Sequence, residues 1–171
     1  FYIPAEAQEN WRQAVAKGQE AQARWNARYE SYRKAYPDLA QQYDRTTAMR
    51  LAEGWEKAIP RFPADKPMAT RNAGGSVLNA IAKTVPELFG GAADLTSSTK
   101  TIFKDSPSFH VDPKGRNIFF GVREFAMMAM VNGIAAHGGL IPFGSTFFTF
   151  SDYCRSALRM GALQSSHSIY I

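Results

Sequence analysis

Cysteine is almost missing from this sequence: Cys154 is the single one among 171 residues. An internal disulfide framework is therefore excluded, no cysteine–histidine zinc pattern exists, and a reducing compartment is the simplest setting. Long apolar runs are also absent. The longest, around residues 125–136, is too short for a membrane span and contains Asn132. No region carries charge of one sign. The net charge is +5, but residues 1–63 hold ten basic and eight acidic side chains, and residues 64–171 hold ten and seven. That mixture lacks the clustered basic face that nucleic acid requires. His110, His137 and His167 are scattered, and none has a metal partner at helical spacing. There is no initiator methionine and no signal-peptide pattern. The last residues, Ser168–Ile171, read as a strand that stops inside itself, so both ends predict a piece of a longer polypeptide.

What is present is a globular composition, 45% hydrophobic and 20% charged, with enough length for one ordinary core. Residues 4–36 predict one long helix. Pro4 suits its first turn, and Glu6 and Glu9 favour its positive end. Trp11, Val15, Gln22, Trp25, Tyr29, Tyr32 and Tyr36 recur on one stripe, read as a packing face against another domain. Pro37 ends that helix, and a second is predicted over 38–53, ending near Gly54. Three prolines in residues 57–70 mark a linker. We divide the chain into a helical interdomain linker, 1–63, and an α/β domain, 64–171, truncated at its C-terminus. Within the second part, helices 72–84, 124–137 and 149–164 alternate with strands near 88–91, 118–121, 140–145 and 168–171. This alternation predicts an α/β fold, a parallel sheet with covering helices.

Ligands of such sheets bind beyond the carboxyl ends of the strands. Three loops sit there: Gly90–Ser98, Phe120–Glu124 and Gly144–Phe148. Glu124 opens an otherwise apolar helix. The helix dipole favours its charged form and burial opposes it, so it could exchange a proton with a ring nitrogen. It could equally be a helix-start acid paired with Arg123 or Arg71. Phe147, Phe150 and Tyr153, at three-residue steps, could wall a flat heteroaromatic ring or pack into the core. Arg71 and Ser98 could hold a phosphate or lie free on the surface.

At these residues the sequence closely resembles the transketolase signature. The resemblance is carried by Gly121-Val122-Arg123-Glu124-Phe125-Ala126-Met127, then Asn132-Gly133-Ile134-Ala135 and His137-Gly138-Gly139. Gly90-Gly91-Ala92-Ala93-Asp94-Leu95, Ser145 through Tyr153, and Ala69-Thr70-Arg71-Asn72-Ala73 also resemble it, in unbroken order. Phe1-Tyr2-Ile3-Pro4 resembles the handover from a diphosphate-binding domain to a linker.

The resemblance implies an incomplete thiamine-diphosphate-binding fold, the first part of the domain that holds the cofactor's aminopyrimidine. It implies Glu124 as the acid bonded to N1′ of that ring. Phe147, Phe150 and Tyr153 would form the ring's pocket, Asp94 an acid near the cofactor, and Arg71 and Ser98 the grip on the substrate's phosphate. The implied activity is transfer of a two-carbon ketol unit between sugar phosphates in the pentose phosphate pathway, by a cytoplasmic homodimer without nucleic acid or membrane partners. Thiamine diphosphate would be anchored by magnesium or calcium in a domain absent from this sequence, so the segment alone is expected to be inactive. Ala92 and Ser156 depart from the commoner residues of the family and touch none of these roles. Two alternatives stay open: a related ketol transferase such as dihydroxyacetone synthase, and a non-catalytic assembly module. Deoxyxylulose phosphate synthase fits poorly, because its glutamate stands in a Glu-Gln-His context rather than Arg-Glu-Phe.

Overall fold

The computed structural model describes residues 1–171 and separates into two compact units, Phe1–Asp44 and Arg45–Ile171. The first is built from α1 (Ala5–Ala35) and most of α2 (Pro37–Thr47). Proline disfavours helical backbone in the residue before it, and Tyr36 accordingly leaves the helix at φ −137° and ψ 67°. Pro37 then starts α2, where its missing N–H costs nothing. No residue of α1 is buried. The unit is joined instead by rings and polar groups. Trp25 stacks on Tyr29 with centroids 5.0 Å apart, and Tyr43 tilts against Tyr29 at 5.5 Å. The Tyr29 hydroxyl donates to Asp44 Oδ1 at 2.5 Å, and Arg33 reaches Asp44 Oδ2 at 3.2 Å.

The second unit contains α3 (Thr70–Ile81), β1 (Leu88–Ala92), α4 (Thr96–Thr99), β2 (Asn117–Phe119), α5 (Glu124–His137), β3 (Ile141–Ser145), α6 (Ser151–Leu163) and β4 (Ile169–Tyr170). The four strands pair in the order β2-β1-β3-β4, all parallel. Leu88 through Ala92 run in register with Ile141 through Ser145. The α/β fold expected from the strand–helix alternation is the one present.

A parallel sheet must be covered on both faces, and two apolar clusters do so. Leu78, Ala82, Val85, Leu88, Phe103 and Phe143 form one, on the α3 side. Phe103 meets Phe143 edge to face at 5.6 Å. Ala93, Phe120, Met127, Met128, Val131, Cys154 and Ala157 form the other, beneath α5 and α6. A side chain at Gly144 would meet Met127 and Met128 at 3.1 Å, so the bare glycine lets α5 lie close on β3. No helix is long and apolar enough to cross a membrane.

Several elements differ from the sequence reading: α3 runs Thr70–Ile81 instead of 72–84, β2 runs Asn117–Phe119 instead of 118–121, and three further differences have local causes. The second helix stops at Thr47 instead of 53. Arg45 in its last turn donates both to Arg50 O at 2.8 Å and, as a fork, to the buried Glu87 carboxylate at 2.5 and 3.0 Å. Met49 follows with φ +54° and turns the chain away. The loop after β1 holds the single turn α4. The helix expected over 149–164 begins as a 3-10 turn, Phe148–Phe150, and becomes α-helical at Ser151.

Candidate active site

The carboxyl ends of β1, β2 and β3 open onto two depressions, and the seven residues singled out from sequence divide between them. One cavity of about 440 Å³ is lined by Asp94, Glu124, Phe150 and Tyr153, with Ala93, Leu95 and Val122. A second, of about 590 Å³, is lined by Arg71, Ser98 and Phe147, with the first turn of α3, Thr99, Thr101 and Thr146. Phe147, Phe150 and Tyr153 form one ladder. Phe147 stacks on Phe150 at 6.5 Å and 11°, and Phe150 on Tyr153 at 6.2 Å and 25°. The ladder thus contributes two rings to the smaller cavity and one to the larger.

Glu124 owes its place to the turn before it. Gly121 takes φ +68°, a backbone state that suits glycine, and swings the chain from β2 into α5. Met127 N then bonds to Arg123 O at 2.8 Å, closing the first turn with Glu124 as its opening residue. Glu124 is 8% exposed. The ion-pair reading of this acid fails on geometry. The Arg123 guanidinium donates to Phe120 O at 2.9 Å, and Arg71 lies in the other cavity. Glu124 is in none of the chain's salt bridges, and it lines the cavity at the positive end of a helix. Its charge is felt nearby: the buried Cys154 thiol is pushed up by desolvation first and by Glu124 second. A buried carboxylate without a basic partner, beside two stacked rings, suits a flat heterocycle that offers a ring nitrogen. The donor set fits an aminopyrimidine.

In the larger cavity, Arg71 stands in the first turn of α3, a helix without a side-chain N-cap. A guanidinium, a serine hydroxyl and unsatisfied helix N–H groups together suit a phosphate. Asp94 sits at φ +59° at the loop's entry and is exposed.

Sequence reasoning missed the hydroxyl groups under these loops. Thr101 donates to Ser145 Oγ at 2.9 Å and meets Thr99 Oγ1 at 2.7 Å, all three being buried. Thr146 Oγ1, on the wall of the larger cavity, is buried without a partner. The signal available was the run of hydroxyl residues after β1 and at the end of β3, which alone does not separate a site from a capped turn.

Comparison with known proteins bears on the same residues. Residues 66–171 match the transketolase pyrimidine-binding domain, and residues 1–52 match the transketolase thiamine diphosphate-binding domain. The chain belongs to the transketolase family. It is 49% identical to a transketolase of Geobacillus stearothermophilus over 173 aligned residues, and 43% identical to one of Bacillus subtilis. Both alignments cover 100% of this chain and 26% of the relative. A solved transketolase from Pichia stipitis, in complex with sedoheptulose 7-phosphate, superposes with a TM-score of 0.93 at 38% identity over 99% of this chain and 26% of that one. The transketolase of Leishmania mexicana superposes at 0.92 with 33% identity, covering 99% of this chain and 25% of that one. The chain spans about a quarter of the length of the curated transketolases it matches.

Proposed function

We propose that this chain supplies the pyrimidine half of a transketolase site, in which Glu124 is the acid that activates thiamine diphosphate for transfer of a ketol unit between sugar phosphates. The observation that carries the reading is the buried Glu124 carboxylate, free of Arg123 and Arg71, on one cavity with Phe150 and Tyr153. When bound, thiamine diphosphate supplies the carbon nucleophile that takes up the two-carbon unit. Glu124 holds a proton at its carboxyl group against a ring nitrogen. Phe150 and Tyr153, with Phe147 behind them, fix the ring's plane and keep water from it. Asp94 lies at the mouth of the same cavity. Arg71 and Ser98, in the neighbouring cavity, hold the substrate's phosphate and so orient its carbonyl end.

In this reading residues 1–63 act as the helical linker and residues 64–171 as the first part of the pyrimidine domain. The diphosphate and its magnesium or calcium ion are held by residues outside this sequence. The complete enzyme is then a cytoplasmic homodimer of the pentose phosphate pathway, and this segment alone is inactive. The homodimer is supported by the largely apolar α5, which exposes Phe125 and Met130 at 53% and 45%, a surface that a second subunit would cover.

The test is Glu124→Gln in the complete enzyme. Proton transfer of this kind is worth roughly 100-fold or more, so the transfer rate should fall at least that far while the protein stays folded. A rate near that of the unsubstituted enzyme would remove Glu124 from its role.

A further inference from the structure

The two sides of the larger cavity come from different parts of the chain. Arg71 stands on α3, and Ser98 on the segment 95–101. These meet at one point. A methyl group on Gly75, one turn along α3 from Arg71, would stand 2.8 Å from both Cβ and the carbonyl oxygen of Lys100. That is closer than a Cβ can lie, and one of the two atoms is backbone. Lys100 is itself held in place: it takes φ +62° as the residue closing α4, and its N–H bonds to Thr96 O at 3.1 Å. Beside this contact Asn79 stitches the same two pieces together. Its Nδ2 donates to Gly75 O and to Ile102 O, both at 2.9 Å, and its Oδ1 accepts from Lys104 N at 2.9 Å. From the other side, Thr99 and Thr101 tie the segment to Ser145 at the end of β3. The Thr101–Ser145 bond anchors the 95–101 segment to the sheet, and the closeness of α3 to it depends on the missing side chain at Gly75.

We propose that Gly75 is a positioning residue whose bare contact with Lys100 sets the separation of Arg71 and Ser98, and hence the enzyme's preference for a phosphorylated substrate. This rests on the reading of Arg71 and Ser98 as the phosphate grip. Gly75 touches no substrate. It acts by letting α3 close on Lys100, so a methyl group there pushes the Arg71 end of the cavity outward.

The experiment compares sedoheptulose 7-phosphate with unphosphorylated sedoheptulose as donors for the complete enzyme. Gly75→Ala should raise KM for the phosphorylated sugar at least about fivefold, since sub-ångström misplacement of a binding group costs that much. It should leave kcat, and kcat/KM for the unphosphorylated sugar, within about twofold. Adding Lys100→Gly removes one of the two opposing atoms and should recover part of the loss. An unchanged ratio between the two sugars, or an equal loss for both, overturns the proposal. If Gly75→Ala gives no cooperative thermal melt, Asn79→Ala, which loosens the same junction, decides the matter by the same ratio. Arg71→Ala distinguishes the positioning role of Gly75 from the phosphate grip itself. If it abolishes the preference for phosphate while Gly75→Ala does not, only the positioning role fails. If Arg71→Ala leaves the preference intact, the phosphate grip itself is misassigned.

Discussion

The two units of this chain are held together by different physics. Residues 45–171 bury two apolar clusters on either side of a sheet, and side chains such as Phe143 and Met127 are wholly inaccessible. Residues 1–44 bury only Ala40. Their helices are connected by stacked rings and by Tyr29, Arg33 and Asp44 at the surface. Trp11, Trp25 and Tyr36 remain 75%, 47% and 55% exposed. Burial of apolar area is the main stabilising term, so the first unit has a sequence suited to helix and little that fixes it. A regular pattern thus shows that a helix will form, but not whether anything in the same chain covers it.

The largest effect that would test this contrast lies in the core. Phe143→Ala should cost roughly 3–5 kcal/mol, read from urea unfolding of this chain. Trp11→Ala should stay within about 0.5 kcal/mol in the same assay. A Trp11 effect as large as that at Phe143 would break the comparison. Next comes Glu87→Gln, which leaves the Arg45 guanidinium facing a neutral amide. With Glu87 4% exposed and Arg45 only partly so, a cost of about 3 kcal/mol is expected, at the lower end for a buried pair.

A smaller effect concerns pH. The folded Cys154 thiol is raised by burial first and by Glu124 second. A raised folded value means this group's contribution is complete below the ordinary thiol range and is lost as pH rises through the folded value. Urea midpoints should therefore fall in alkaline buffer more steeply for the unsubstituted chain than for Cys154→Ala, and Glu124→Gln should lessen the fall. Equal slopes would remove the thiol from the account. The smallest expected effect sharpens the first unit. Gly18 lies inside α1 with open space where a methyl would go, so Gly18→Ala should stabilise that helix by about 0.5–1 kcal/mol, visible as a higher melting temperature by circular dichroism.

The legibility of the fold followed the same divide between local and distant causes. Helices α1 and α5 were readable nearly to their ends because Pro4, Pro37, Glu124 and Gly138 are local signals. The end of α2 was not, because the residue that stops it, Arg45, is drawn to a carboxylate 42 positions away. At the site, spacing left Glu124 and the three rings open between a site and ordinary packing, and the resemblance to the family's motifs is what pointed to a site. The division into two cavities was not, since it depends on how α3 and the 95–101 segment approach the sheet. The choice between an ion-paired and a free Glu124 turned on where the Arg123 and Arg71 guanidinium groups lie, which no spacing encodes. Thr99, Thr101 and Ser145 form a network only after folding brings them together.

The strand order carries a consequence for synthesis on the ribosome. Strand β1 is flanked by β2 and β3, and its pairing with β3 joins Leu88 to Ile141. Translation at about 5–20 residues per second therefore leaves one edge of β1 unpaired for roughly 3–10 s after it emerges. During that interval α3 is already made and can cover Leu88, but Phe143 of β3 and the helices α5 and α6 are still missing from the sheet. A nascent chain stalled between residues 92 and 141 would be a ready target for chaperones that grip extended apolar segments, and release should follow once β3 is free to dock.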